Sequence, residues 1–111
     1  MKKIGLLSDT HAYLNPKIYE YFASCDEIWH VGDFGSTEIA DALIKFKPIR
    51  AVYGNIDAHE IRLMFPKHNR FMCESVDVWM THIGGYPGRY EREVIPMIRK
   101  NPPKLFISGH S

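Results

Sequence analysis

Ile4-Gly5-Leu6-Leu7-Ser8-Asp9-Thr10-His11 opens the first regular element of the chain and decides how the rest is read. Ile4 to Leu7 is an apolar run without polar alternation, the pattern of a strand buried on both faces of a parallel sheet. Ile28 to Val31 and Ile49 to Tyr53 repeat it. Between these runs, Asn15 before Pro16 starts a helix expected to reach about Ala23. Ser36 is placed to cap a second helix, along which Ile39, Ala40, Leu43, Ile44 and Phe46 form one apolar stripe. Strand, helix, strand, helix, strand implies an α/β fold with right-handed parallel crossovers. Downstream, Arg70 to Val76 and Asp77 to Thr81 read as successive strands, rich in β-branched and aromatic residues. Ile83 to Gly88 reads as a loop, Tyr90 to Lys100 as a helix kinked at Pro96, and Lys104 to Ser108 as a last short strand. Trp29 and Trp79 fall in strand-like runs and are expected in the core.

Polar residues with ligand chemistry follow these strands at their carboxyl ends. Asp9 and His11 come after the first, Asp33 after the second, Asn55 after the third, His82 after the fifth and His110 after the last. In open α/β sheets that edge is where loops converge on a ligand. Asp33, Asn55 and His110 each follow a glycine, which permits sharp turns and close backbone approach. Carboxylates, imidazoles and one carboxamide offer mixed oxygen and nitrogen donors, suited to manganese, iron, cobalt, nickel or zinc. Asp33 is of the kind that bridges two cations. A pair of metals roughly 3.5–4 Å apart binds a bridging hydroxide and the phosphoryl oxygens of an in-line displacement. A single structural zinc fits poorly, because no thiolate is among these donors and they exceed one tetrahedral shell.

Composition narrows the function classes. The 111 residues suit one domain, 1–111, and an apolar content of 45% is ordinary for a globular core. A formal charge of +1 with acids and bases interspersed gives no strong signal for nucleic acid or anionic lipid. No apolar run approaches membrane length and the amino terminus is not a signal peptide. Cys25 and Cys73 form neither a close pair nor a dense pattern, which places the protein in the reducing cytosol.

Asp9-x-His11, Gly32-Asp33, Gly54-Asn55, His82 and Gly109-His110 stand in the order found in the calcineurin-like metallophosphoesterases, and their spacing resembles the small prokaryotic phosphodiesterase branch of that superfamily. The resemblance runs from Ile4 to the last residue. It implies a sandwich of two mixed β-sheets flanked by helices. It also implies two divalent metal ions, manganese first among the candidates: Asp9 and His11 on one, Asn55, His82 and His110 on the other, Asp33 bridging. Asp33, Asn55 and His82 would be catalytic, with Asn55 also meeting the substrate. Arg89, after the glycine-rich stretch beyond His82, is either a phosphate partner or a solvated turn residue.

Two departures from the family pattern carry expectations. The last family motif reads Gly-His-x-His, whereas this chain ends at Ser111; the resemblance implies a longer polypeptide with histidine next and C-terminal strands beyond. The position after Asn55, a histidine in many larger relatives, is Ile56, so no general acid for the leaving group is identified; Asp57 falls two after the asparagine, and His59 does not align. His30 points away from the Asp33 side of its strand and is expected to be packed. His59 and His68, in polar surroundings, are expected at the surface. The activity implied is metal-dependent hydrolysis of a phosphate ester, a phosphodiester before a monoester. The alternative is a non-catalytic interaction scaffold, since a retromer subunit resembles this fold; a scaffold under no catalytic demand need not keep His11, Asn55, His82 and His110 together.

Overall fold

The computed structural model describes residues 2–86 and 89–110. β1 (Ile4–Leu7), β2 (Glu27–His30) and β3 (Ile49–Ala51) form a parallel sheet in that order. α1 (Lys17–Tyr21) and α2 (Thr37–Phe46) make the crossovers, and α3 (His59–Met64), not expected from the sequence, comes after β3. β4 (His68–Cys73) and β5 (Val76–Thr81) form an antiparallel hairpin. Next come a small hairpin of β6 (Gly85–Tyr86) and β7 (Arg89–Tyr90), α4 (Ile95–Lys100), and β8 (Leu105–Ser108) parallel to β5. The mixture of strand directions thus lies in the second sheet, while the described strands of the first are all parallel.

Alternation along β2 explains why none of its residues reaches solvent. Ile28 faces the helices, in a cluster with Phe34, Ile39, Leu43 and Ile61. Trp29 and the nearby Val31 face the second sheet, against Val52, Val78 and Met80. Each such side chain, fully buried, contributes about 1.5–3 kcal/mol from removed apolar surface. Trp29 and Trp79 are both core residues, each 4% exposed. This layering brings the carboxyl ends of β1, β2, β5 and β8 within reach of one another, whereas β4, antiparallel to β5, ends on the opposite side.

Several element boundaries differ from the sequence expectation for physical reasons. The β4–β5 turn is Glu74-Ser75, with φ of 46° and 70°. Positive φ at both central residues is the two-residue hairpin geometry, so the strands break between Cys73 and Val76 rather than before Asp77. Gly85 and Tyr86 pair with Arg89 and Tyr90 in a region expected to be loop and helix; Pro87 and Gly88 lie outside the described residues. The helix therefore begins at Ile95, and Pro96 sits in its first turn, where a missing N–H costs nothing, instead of kinking it. The Asn15 side chain accepts the Lys17 N–H at 3.0 Å, but Pro16 rather than Asn15 stands at the α1 N-cap and the helix ends at Tyr21, short of Ala23; Ser36 stands at the α2 N-cap without a side-chain bond. Ile44 leaves the α2 stripe and is 45% exposed. His68 is half-buried on β4, its Nε2 3.0 Å from Glu93 Oε1, while His59 is exposed. Among the described residues, no helix is long and apolar enough to cross a membrane.

Candidate metal centre

The six candidate ligands lie just past the carboxyl ends of β1, β2, β3, β5 and β8. The loop after β1 is tied by its backbone to the loop after β2: Asp9 N–H donates to Gly32 O at 2.9 Å, His11 N–H to Asp33 O at 3.1 Å and Ala12 N–H to Phe34 O at 2.7 Å. Asp9, His11, Asp33 and His110 hold left-handed φ values of 55°, 50°, 61° and 55°. Such values are uncommon outside glycine and cost of order 1–3 kcal/mol each. They persist here because neighbouring loops pin the backbone, and they turn side chains from separate strands towards one point.

Among the described residues two groups of possible ligand atoms result, Asp9-His11-Asp33 and Asp33-His82-His110, and within each the ligand atoms lie within 4.8 Å of one another. Asp33 belongs to both. Its Oδ2 is 3.6 Å from His11 Nε2 and 3.2 Å from His82 Nε2. Its other oxygen accepts the Ile56 N–H at 3.2 Å, which fixes the plane of the carboxylate. His82, 3% exposed, donates Nδ1–H to Val31 O at 2.6 Å, which fixes the ring and turns Nε2 towards Asp33. That Nε2 is buried without a hydrogen-bond partner while facing a carboxylate. An imidazole nitrogen buried without a partner among the described residues, beside a carboxylate shared by two groups of oxygen and nitrogen donors, fits a divalent metal. Asp9 is 3.6 Å from His11 and 3.8 Å from His82 through its Oδ1. Burial raises its pKa, but the Ser8 hydroxyl, the His82 charge, His11 and the His110 backbone outweigh that and hold it below the usual carboxylate range. Asn55, exposed in the turn after β3, joins His82 on the wall of an adjoining cavity.

Residues outside the candidate set hold this arrangement. His30 is fully buried, as expected, and stacks on Phe34 with ring centroids 3.7 Å apart. Its Nδ1 accepts the Gly32 N–H, so its Nε2–H donates to Thr10 Oγ1 and that hydroxyl donates to Phe34 O, each bond 3.1 Å long. Burial pushes its pKa down to about 4 against the nearby charges of Asp57 and Asp9, so the ring is neutral and ties the first two loops together. Asp57 has a role that sequence reasoning missed. Its carboxylate, 3% exposed, accepts the N–H groups of Asp33 at 2.9 Å, Gly35 at 3.0 Å and Gly54 at 2.8 Å, clamping the second loop to the third. A carboxylate so engaged is not free to protonate a leaving group. The one available signal was its position two residues past Asn55. Close approach accounts for Gly54 and Gly32: a Cβ on the former would fall inside the Asp33 carboxylate, and one on the latter would come within 2.7 Å of His82 Nδ1. Arg89 is exposed on β7 and stands outside the residues lining the cavity beside Asn55, whereas Arg62 and Lys67, not singled out from sequence, line it.

Residues 1–111 match the calcineurin-like phosphoesterase superfamily domain. A probable metallophosphoesterase of Methanothermobacter thermautotrophicus is 28% identical over 113 residues, covering 97% of this chain and 65% of the relative. The chain thus spans less than two thirds of that relative's length. Among solved structures, one described as a novel archaeal phosphodiesterase is 25% identical with a TM-score of 0.79, covering 100% of this chain and 73% of its own. Vacuolar protein sorting 29 of Cryptosporidium parvum shares the fold at a TM-score of 0.74 and 16% identity, covering 96% of this chain and 63% of its own.

Proposed function

From the premise that the chain belongs to the calcineurin-like phosphoesterase superfamily, we propose that it hydrolyses phosphodiesters with two divalent cations held at the carboxyl ends of its strands. Asp9 and His11 would hold one, Asn55, His82 and His110 the other, and Asp33 both. The mixed oxygen and nitrogen donors favour manganese first, with iron, cobalt, nickel or zinc as substitutes. When bound, such cations acidify water and neutralise phosphoryl oxygens. The chain's own residues do the positioning. Asp33 keeps Oδ2 inward because Ile56 N–H holds its other oxygen, and His82 keeps Nε2 facing the centre because its Nδ1–H is held by Val31 O. Asn55 sits where centre and cavity meet and would orient the phosphoryl group.

The observation that carries this reading is the sharing of Asp33 by both ligand groups. The test is hydrolysis of bis(4-nitrophenyl) phosphate with added manganese, with and without chelator. Turnover that the chelator abolishes and manganese restores is expected; none with any of the named metals would sink the proposal. The fold shared with vacuolar protein sorting 29 favours one other reading, a non-catalytic interaction module. That module would bind a partner equally well with Asp33→Ala, whereas the hydrolase would lose its activity. A cytosolic setting, expected from the separated cysteines, belongs to the same proposal.

A further inference from the structure

A cavity of about 270 Å³ adjoins the candidate centre, lined by Asn55 and His82 together with Tyr53, Arg62, Lys67 and Glu93. It is smaller than the roughly 300–1,000 Å³ of drug-sized sites, so it suits a small organic substituent. Its two cations are in different states. Lys67 Nζ is 2.7 Å from Glu93 Oε2, so its charge is already compensated. Arg62 enters no ion pair among the described residues. Its Nε donates to the Asp57 carbonyl at 2.8 Å, and the guanidinium lies over the Tyr53 ring, 4.6 Å from the centroid. Its Nη2 is 3.5 Å from the Asn55 carbonyl. Backbone and ring therefore fix the orientation of the guanidinium through Nε and Nη2, while its charge stays uncompensated among the described residues and Nη1 is left to meet an anion.

Resting on the phosphodiesterase reading, we propose that Arg62 holds the leaving group of the substrate in this cavity, as the electrostatic replacement for the acid that Ile56 cannot supply. Water attacks phosphorus, the bond from phosphorus to the departing oxygen breaks, and its electron pair goes to that oxygen. The guanidinium keeps its protons and stabilises the developing alkoxide or phenoxide. The departing oxygen takes its proton from solvent, and the proton released by the attacking water also goes to solvent. The products are a phosphomonoester and an alcohol, whose organic part packs beside Tyr53.

The test is a series of methyl aryl phosphates, from 4-nitrophenyl to phenyl, hydrolysed by wild type, Arg62→Lys and Arg62→Met with saturating manganese. Arg62→Met should lower kcat/KM about 100-fold for phenyl and only a few-fold for 4-nitrophenyl, with Arg62→Lys between. An equal loss along the series, or none, would overturn the proposal. Because Arg62 also supports the Asp57 turn, near-ultraviolet circular dichroism checks each fold; if Arg62→Met is unfolded, Arg62→Lys alone decides by the same criterion. A second arm measures phenylphosphonate binding to metal-stripped protein by phosphorus NMR. Wild type should bind it and Arg62→Lys at least 10-fold more weakly; no binding, or equal binding, would overturn the assignment. If wild type hydrolyses none of the esters, the phosphodiesterase reading fails, and the phenylphosphonate arm still decides whether Arg62 holds an anion.

Discussion

Replacing Asp57 tests whether the two central loops are held by one buried carboxylate. Asp57→Ala removes the acceptor of three backbone N–H groups, those of Asp33, Gly35 and Gly54. The Asp33 and Gly54 bonds are buried, and each donor left without a partner costs about 1–3 kcal/mol, so the pair costs about 2–6 kcal/mol. The Gly35 bond is part-buried and adds less, since water reaches it. Removing the carboxylate also relieves its own desolvation, which favours the lower half of that range. Against a total stability of about 5–15 kcal/mol, a loss of about 3 kcal/mol is large. Asp57→Asn keeps one acceptor oxygen; turned towards Asp33 and Gly54 it preserves both buried bonds and opposes an amide to Gly35 N–H, for about 1–3 kcal/mol. The assay is urea denaturation monitored by fluorescence of the buried Trp29 and Trp79, with manganese affinity titrated in parallel. Midpoints should fall in the order wild type, Asp57→Asn, Asp57→Ala, and manganese affinity should fall with them. A wild-type midpoint for Asp57→Ala would refute the clamp. Lost activity with unchanged stability would instead mean that the carboxyl takes part in proton transfer.

Asp33→Ala should release both cations, whereas Asn55→Ala should weaken one; metal content after dialysis decides, and two metals retained in Asp33→Ala would remove Asp33 as the bridge. Gly54→Ala places a methyl group inside the Asp33 carboxylate, so metal affinity should drop along with about 1–3 kcal/mol of stability; wild-type values for both in one titration and one melt would show that the loops are free to part. His30 has a folded pKa of about 4 against an ordinary value of 6.5. The unfolded chain therefore binds more protons between those values, and metal-free stability should be full above pH 6.5 and decline as pH falls to 4, by about 3 kcal/mol at most. His30→Gln should lose that component of the pH dependence, and an unchanged urea-midpoint profile would contradict it.

The polar residues that close each strand were legible because the governing signals are local. A buried parallel strand must be apolar throughout, so Ile4–Leu7 marks itself, and the ligand-type residues just beyond it, Asp9 and His11, lie at its carboxyl end without any knowledge of the fold. The same reasoning located Asp33, Asn55, His82 and His110 and revealed the strand-helix alternation of the first sheet. The short elements escaped it. α3 has six residues and β6 and β7 two each, too few for periodicity to separate from a loop, and Pro96 reads alike as a kink or as a first helical turn until the pairing of Arg89 and Tyr90 fixes where the helix begins.

Only the tertiary structure decided how the residues of the centre act on one another. Asp33 N–H meets Asp57 across 24 residues, and His82 meets Val31 across 51. Such bonds depend on the path of the backbone, which the identity of the residues does not encode locally. Hence the sequence supplied the donors, whereas the fold assigned their partners: Asp33 to both candidate ligand groups, Asp57 to three N–H groups, Lys67 to Glu93, and Arg62 to a cavity wall without an ion pair among the described residues. The left-handed backbone of Asp9, His11, Asp33 and His110 belongs to the same category, because a conformation that is locally unfavourable persists only where neighbouring loops hold it.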